Sequence, residues 1–288
     1  MKWVVLSAMA VAMITTCRES GDRVYVFTGE AMGTTYRVKS SVDREALKPE
    51  IDAMLAALDR DLSTWRDDSW VSQFNRAPAG TTMPLPPVVS ELLQKSLVYH
   101  AQTEGRYDPT IGALIRLWGF GAWRDTWAGE PTAEEMAAAR EAVGFRHLEI
   151  EEDRITKRHV AVMLDFSAMA KGYAVDRIGD RLRAAGCEHF IIDFGGDILA
   201  AGNHPGRVGW TVDGAALDQP LTLHDEAIAM SGSEHQFRGD QSHVIDPRSG
   251  WPVPVGSPVF AMADSCAKAD AMATAALVAG DATAEVDG

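Results

Sequence analysis

The chain has 288 residues, of which 46% are hydrophobic and 24% charged, and carries a formal net charge of −14. That length gives room for one large domain with an ample core, in a composition ordinary for a globular protein. The excess of negative charge repels phosphate backbones and argues against a nucleic-acid partner. A phosphate-bearing ligand then needs local help from a basic side chain, a helix end or a cation. No Cys/His cluster has the spacing of a zinc site, and Cys187 and Cys266 are left to pair only if the compartment is oxidising.

In chain order, Met1-Lys2 precedes an apolar run from Trp3 to Ile14 and then Thr15-Thr16-Cys17. A basic start with a short apolar region has the form of a secretory signal and is too short for a membrane span. Ile14-Thr15-Thr16-Cys17 looks like a bacterial lipobox, which makes Cys17 the lipidated residue. Residues 1–20 are therefore read as a lipoprotein signal and 21–288 as one folded domain. Val24 to Lys39 reads as a strand pair broken by Gly29 and by Met32-Gly33-Thr34-Thr35. Ile51, Leu55, Leu58 and Leu62 recur at helical spacing over 45–62, and Val89, Leu92, Leu93 and Leu97 mark a helix after Pro86-Pro87. Pro131-Thr132 opens a third helix that Gly144 stops. Strands are expected at 146–151 and 159–166, a helix along Ala170, Ala174, Ile178 and Leu182, and a buried strand at Phe190–Phe194 closed by Gly195-Gly196. Further strands are read at Val208–Val212 and Ala227–Met230, and an alanine-rich helix from Cys266 to Val278. This irregular mixture predicts a single α+β (mixed α/β) domain, with mixed sheets and packed helices.

Four stretches bear chemistry. Leu164 to Asp176 reads as a strand end, a polar turn with Asp165 and Ser167, and a helix carrying Lys171 near its start. Helix N-termini attract phosphate; the plainer reading is a connection with a surface lysine. Asp270 and Thr274 stand four apart on one helix face, hard oxygen donors suited to magnesium, or else an exposed Asp and a threonine bonded to its own helix. His243 precedes an Asp246-Pro247-Arg248-Ser249-Gly250 turn, as a ligand-binding or a structural histidine. Arg106-Tyr107-Asp108-Pro109-Thr110 leads to Leu117-Trp118-Gly119-Phe120-Gly121, where Asp108 caps a helix or binds a ligand edge and the aromatics stack on a ring or fill core. No hydrolase elbow, dinucleotide fingerprint or Walker A sequence is present.

Taken in order, these stretches resemble the ApbE family, the FAD:protein FMN transferases. Ala31 to Tyr36, Leu62-Ser63-Thr64-Trp65 with Ser72-Gln73-Phe74-Asn75, Tyr107 to Gly121, Asp165 to Asp176, Asp193-Phe194-Gly195-Gly196, His243 to Gly250 and Ala269 to Thr274 follow the family's motif order over roughly residues 24–280. The resemblance implies a magnesium-dependent enzyme that splits FAD, links FMN through a phosphoester to a Thr or Ser of an acceptor protein, and releases AMP. It implies that Met32, Trp65, Arg106, Tyr107, Asp108, Asp165 and Lys171 bind FAD. The Ala168 carbonyl, Asp270 and Thr274 are then the magnesium ligands, and His243 and Asp270 act at the reacting phosphates. Implied partners are FAD, flavin-carrying subunits of membrane redox complexes, and the membrane itself through lipidated Cys17, on the periplasmic side of a bacterial inner membrane.

The chain departs from the family pattern at Trp65, usually Tyr, and at Ala273, where some members are acidic; its end at Gly288 suggests a shortened C-terminus. Two alternatives stand beside transfer: hydrolysis of FAD to FMN and AMP, and FAD binding without catalysis. Intact Asp270 and Thr274 argue against mere binding.

Overall fold

The computed structural model describes residues 23–213, 219–232, 237–281 and 284–285. Seven strands form one sheet whose spatial order follows the chain: Tyr25–Ala31, Thr34–Ser40, Phe190–Phe194, Asp197–Ala201, Ala227–Ser231, Val259–Ala263 and Ala284–Glu285. Every neighbouring pair is antiparallel except the last. Two tight turns sit side by side at one end. Met32 (φ 47°) and Gly33 (φ 76°) join the first two strands, and Gly195 (φ 60°) and Gly196 (φ 96°) join the next two. Positive φ at both central positions gives the turn the twist its strands need.

Period-two alternation sorts the sheet's side chains. Phe190, Ile192 and Phe194 join the large core under the helices, while Ile191 turns to the other face and packs with Trp210, Val212 and Leu223. Both faces are thus covered, which is why the Phe190–Phe194 strand is apolar almost throughout.

Among the described residues there are seven α-helices: α1 Lys48–Leu62, α2 Trp70–Arg76, α3 Pro87–Gln102, α4 Gly112–Leu117, α5 Ala133–Glu141, α6 Ala170–Ala184 and α7 Cys266–Ala279. The predicted apolar stripe of α1, Ile51, Leu55, Leu58 and Leu62, is its buried face. Helix α3 opens on Pro87, where a missing N–H costs nothing. Thr132 and Glu135 close a reciprocal capping box on α5. Helix α7 is buried nearly all round, as its alanine-rich sequence requires of a helix wedged between sheet and α6.

The expected strand at 159–166 does not form. The strand read at 146–151 forms as Leu148–Ile150, but its neighbour is Arg154–Lys157, and the later stretch has a single bridge, Met163 to Ile111. It opens on a turn closed by the Val162 N–H and the His159 carbonyl, and a side chain of α2 and loop groups take the hydrogen bonds of the rest in place of a neighbouring strand. Cys187 and Cys266 are free thiols, both buried, so the conditional pairing is not realised. The apolar N-terminal segment and Cys17 lie outside the described residues. Among the described residues no helix is long and apolar enough to cross a membrane.

Candidate active site

Several parts of the chain wall a cavity of about 340 Å³: the loop after α1, the approach to α4 with α4 itself, the turn before α6, the Gly195 turn, the end of the Ala227–Ser231 strand, the strand Gln241–Ile245, and α7. The volume is in the range of small-molecule sites. Trp65, Arg106, Tyr107, Asp108, Asp165, Ala168, Lys171, His243, Asp270 and Thr274 all line it. Met32 is the exception. It sits at its hairpin tip, half-buried against the main core, and is absent from the cavity wall.

Helices α6 and α7 hold each other by their open ends. Asp176 on α6 accepts the N–H groups of Cys266 (2.7 Å) and Ala267 (2.9 Å), the first two residues of α7. Asp270 on α7 returns the arrangement, its Oδ2 accepting the N–H of Gly172 (3.2 Å) in the first turn of α6. Each carboxylate thus meets the positive end of the other helix. The crossing depends on Gly172, since a Cβ there would lie 2.3 Å from the Cys266 carbonyl oxygen. Asp270 is buried by this contact, and one turn later the Thr274 hydroxyl shares a 2.9 Å hydrogen bond with Ser231.

The anticipated lysine is present but engaged. Lys171 Nζ donates to Asp197 Oδ2 at 2.6 Å. Burial opposes its charge, yet the carboxylates of Asp197 and Asp270 outweigh burial and hold the ammonium protonated, its pKa above the ordinary value. Burial and the nearby charge of Asp270 push Asp197 well above the usual carboxylate range, with Lys171 acting against them.

Asp165 lies in the turn before α6. Its Oδ1 accepts the Ser167 N–H at 2.8 Å, and its own N–H donates to the Pro109 carbonyl at 2.8 Å. Burial raises its pKa, while the Ser167 bonds and the facing His243 pull it down. His243 therefore stands close enough to Asp165 for the two charges to act on each other. Asp108 is nearly enclosed. Its Oδ1 accepts from the Thr110 hydroxyl (2.6 Å) and N–H (2.8 Å), while His100 Nδ1 lies 3.3 Å from Oδ2. Burial raises its pKa, and the Thr110 bonds and His100 work against that. Tyr107 lines the cavity with its hydroxyl turned away, to Ser96 (2.9 Å) and the Met169 sulfur. Arg106 donates to Glu104 (2.9 Å) and to the Thr103 carbonyl. Trp65 is 58% exposed at the mouth, with the Arg124 guanidinium 5.2 Å from its ring centre. Trp118 is core, its indole N–H donating to the Gly250 carbonyl, and Phe120 is buried beside it but reaches the cavity wall.

Among the described residues, no group of three His, Cys, Asp or Glu side chains is placed to cage a metal. The donors on the wall, a carboxylate from Asp270, a hydroxyl from Thr274 and a carbonyl from Ala168, are all hard oxygens. Such a sparse set suits magnesium, which keeps waters and takes substrate phosphates as ligands. It does not suit zinc or copper, which prefer imidazole and thiolate.

The sequence profile of the ApbE family matches residues 32–286. The chain belongs to the ApbE family. It is 32% identical to the FAD:protein FMN transferase of Vibrio cholerae, over 97% of this chain and 88% of that protein. It is 34% identical to the FAD:protein FMN transferase of Chlamydia trachomatis, over 86% of this chain and 82% of that one. Among solved structures, the apo form of the Pseudomonas stutzeri flavinyl transferase ApbE superposes with a TM-score of 0.80 at 36% identity, covering 91% and 88% of the two chains. The Vibrio cholerae flavin transferase ApbE gives 0.78 at 30% identity, covering 90% and 87%. The α+β domain expected from the sequence is the ApbE fold.

The residue-by-residue reading passed over two groups in this ApbE site. Ser231, which holds Thr274, ends a strand with no polar pattern to single it out. Asp197 directly follows Gly195-Gly196, one position beyond the Asp193-Phe194-Gly195-Gly196 motif. A carboxylate directly after a Gly-Gly turn, opening an apolar strand whose other residues are Ile198 to Ala201, was the available signal.

Proposed function

We propose that this chain is a magnesium-dependent FAD:protein FMN transferase, moving FMN from FAD to a Thr or Ser hydroxyl of an acceptor protein and releasing AMP. The observation that carries the reading is the meeting of Lys171, His243, Asp270 and Thr274 on one cavity wall of an ApbE-family domain. In an acidic protein, that wall gathers the groups a pyrophosphate needs. Magnesium, held by Asp270, Thr274 and the Ala168 carbonyl, would offset the charge that builds on the leaving phosphate.

The remaining work falls to the chain. Lys171, locked by Asp197, presents a fixed positive charge and pays no reorganisation cost as the anhydride opens. The acceptor oxygen attacks the FMN-side phosphorus, and the bond to the AMP oxygen breaks. The hydroxyl proton passes to His243, whose imidazolium Asp165 stabilises from the facing turn. Trp65 offers a ring face at the mouth, and Arg106 and Asp108 bound the deeper side. We extend the proposal to location: lipidation of Cys17 would tether the enzyme on the periplasmic face of the inner membrane, beside acceptor subunits of membrane redox complexes.

The test incubates the protein with FAD, Mg2+ and a candidate acceptor, then weighs the acceptor. A mass increase of one FMN supports transfer; free FMN and AMP without acceptor modification indicate hydrolysis, and unchanged FAD indicates binding alone. Asp270→Ala is expected to abolish transfer while FAD binding partly survives. Full activity in that variant would remove Asp270 from the metal site.

A further inference from the structure

The side chain of Asp197 is 0% exposed, and only one of its oxygens is accounted for. Oδ2 accepts from Lys171 Nζ at 2.6 Å. Oδ1 is equally buried and, among the described residues, accepts no hydrogen bond from an N–H or hydroxyl donor, while the carboxyl of Asp270 stands at hydrogen-bonding distance from Asp197. A buried carboxylate oxygen with no donor is rare in a native fold and calls for a missing water or ion. The groups around it are Lys171 from α6, and Asp270 and Cys266 from α7. The nearest thiol does not serve, since Cys266 Sγ points to the Ile198 carbonyl at 3.8 Å. Asp270 brings a second carboxylate, and its Oδ2 is committed to the Gly172 N–H.

The count of charge is simple. Were both carboxyls ionised, they and the Lys171 ammonium would carry a net −1 in a region shut off from water; burial and Asp270 instead push Asp197 toward its protonated form unless a cation offsets them. Lys171 satisfies one oxygen of Asp197 and is too short of charge to balance both acids. A divalent ion corrects the deficit and supplies Oδ1 with the partner it lacks. Its preferred ligands are oxygens of this kind.

We propose that Asp197 Oδ1 is a second anionic oxygen of the divalent-cation site, joining Asp270, Thr274 and the Ala168 carbonyl. This rests on the cation-dependent reading above and adds to it a residue outside the cavity wall. Asp197 then bridges: one oxygen holds the ammonium of Lys171 and the other the ion. The single carboxylate fixes the spacing of the two positive charges that face a bound pyrophosphate, and the Gly195-Gly196 turn is the support that sets its position.

The experiment uses the whole protein and Mn2+ as a spin-active probe, titrated by EPR without FAD in the wild type, Asp197→Asn and Asp270→Asn. Asparagine keeps the size of residue 197 and an acceptor for Lys171. Tenfold or greater weakening of Mn2+ binding in both variants supports the proposal. Wild-type affinity in Asp197→Asn, with loss in Asp270→Asn, overturns it and leaves Asp197 as an anchor for Lys171 alone. If the wild type binds no Mn2+, or Asp270→Asn binds it unchanged, the cation reading itself fails and takes this inference with it. Should Asp197→Asn not fold, anomalous diffraction from Mn2+-soaked wild-type crystals decides. Oδ1 at roughly 2.0–2.6 Å from the metal, or joined to it by one water, supports the assignment; Oδ1 with neither overturns it.

Discussion

Asn75 at the end of α2 hydrogen-bonds both backbone groups of Leu164, 89 positions away: Nδ2 donates to the Leu164 carbonyl at 2.9 Å, and Oδ1 accepts the Leu164 N–H at 2.7 Å. One amide side chain therefore does for Leu164 what a neighbouring strand does elsewhere. It also fixes the residue immediately before Asp165, and so anchors the cavity's acidic turn from behind. Asn75→Leu leaves two buried backbone groups without partners, at about 1–3 kcal/mol each. Urea unfolding should show a loss of roughly 2–6 kcal/mol, and FAD titration a weaker complex. Unchanged stability would show that water takes over both bonds.

Gly172 is where α6 and α7 touch backbone to backbone. An added methyl would meet the Cys266 carbonyl carbon at 2.6 Å and the Ala267 nitrogen at 2.9 Å, so the helices must part. Gly172→Ala is expected to destabilise by about 1–3 kcal/mol and to impair metal-dependent turnover, because Asp270 caps that same residue. Gly179→Ala is the control. Its new methyl meets chiefly the tip of the Leu199 side chain, at 2.7 Å, which can move. Equal melting temperatures for the two variants would refute the backbone argument.

Asp176 gives the fold a pH signature. Burial lifts its pKa to about 6, against the bonds from Cys266 and Ala267 that favour the ionised form. The unfolded chain releases this proton near 4. Between those values the folded state binds more protons, so the contribution of Asp176 to stability falls as pH rises from about 4 to 6. Asp176→Asn removes the titration. The stability of wild type relative to this variant should drop by about 2 kcal/mol between pH 4 and pH 7. Urea midpoints across that range check it, and a difference that stays flat would contradict it.

Trp65 stands at the mouth with one ring face over the cavity and Arg124 packed against the ring. If that face stacks on a flavin or adenine, Trp65→Ala should weaken FAD binding by about tenfold, in the range of 1–3 kcal/mol found for aromatic–base stacking. Trp65→Tyr should recover most of it. Quenching of flavin fluorescence measures both, and an unaltered affinity in the alanine variant would place the ring outside the binding path.

The sequence was most legible where periodicity is local. The stripe of α1, the proline start of α3, the Thr132 start of α5 and the run of α6 follow from spacing and punctuation alone, whereas Leu97, read with the apolar set of α3, is exposed and Ser96 and Tyr99 complete the buried face. The stretch at 159–166 misled because its apolar pattern is that of a strand while its partners, Asn75, Pro109 and Gly112, are distant in sequence and not strands. The cavity was legible as a set of motifs, and only resemblance said they would meet. Met32 shows the limit of that route. Its motif is in place, but the backbone turn sends the side chain to the core rather than the cavity wall. Asp197 shows the opposite failure, since its importance lies in a missing partner, which no spacing reveals.

The cavity's contributors span Thr64 to Thr274, and α7 brings two of the decisive ones. A nascent chain leaving its ribosome therefore has no such cavity until its seventh helix docks against the sixth. On the function proposed above, half-made molecules are blind to flavin. The substrate can stabilise by mass action only those copies whose folding is complete, so occupancy itself becomes a check on manufacture.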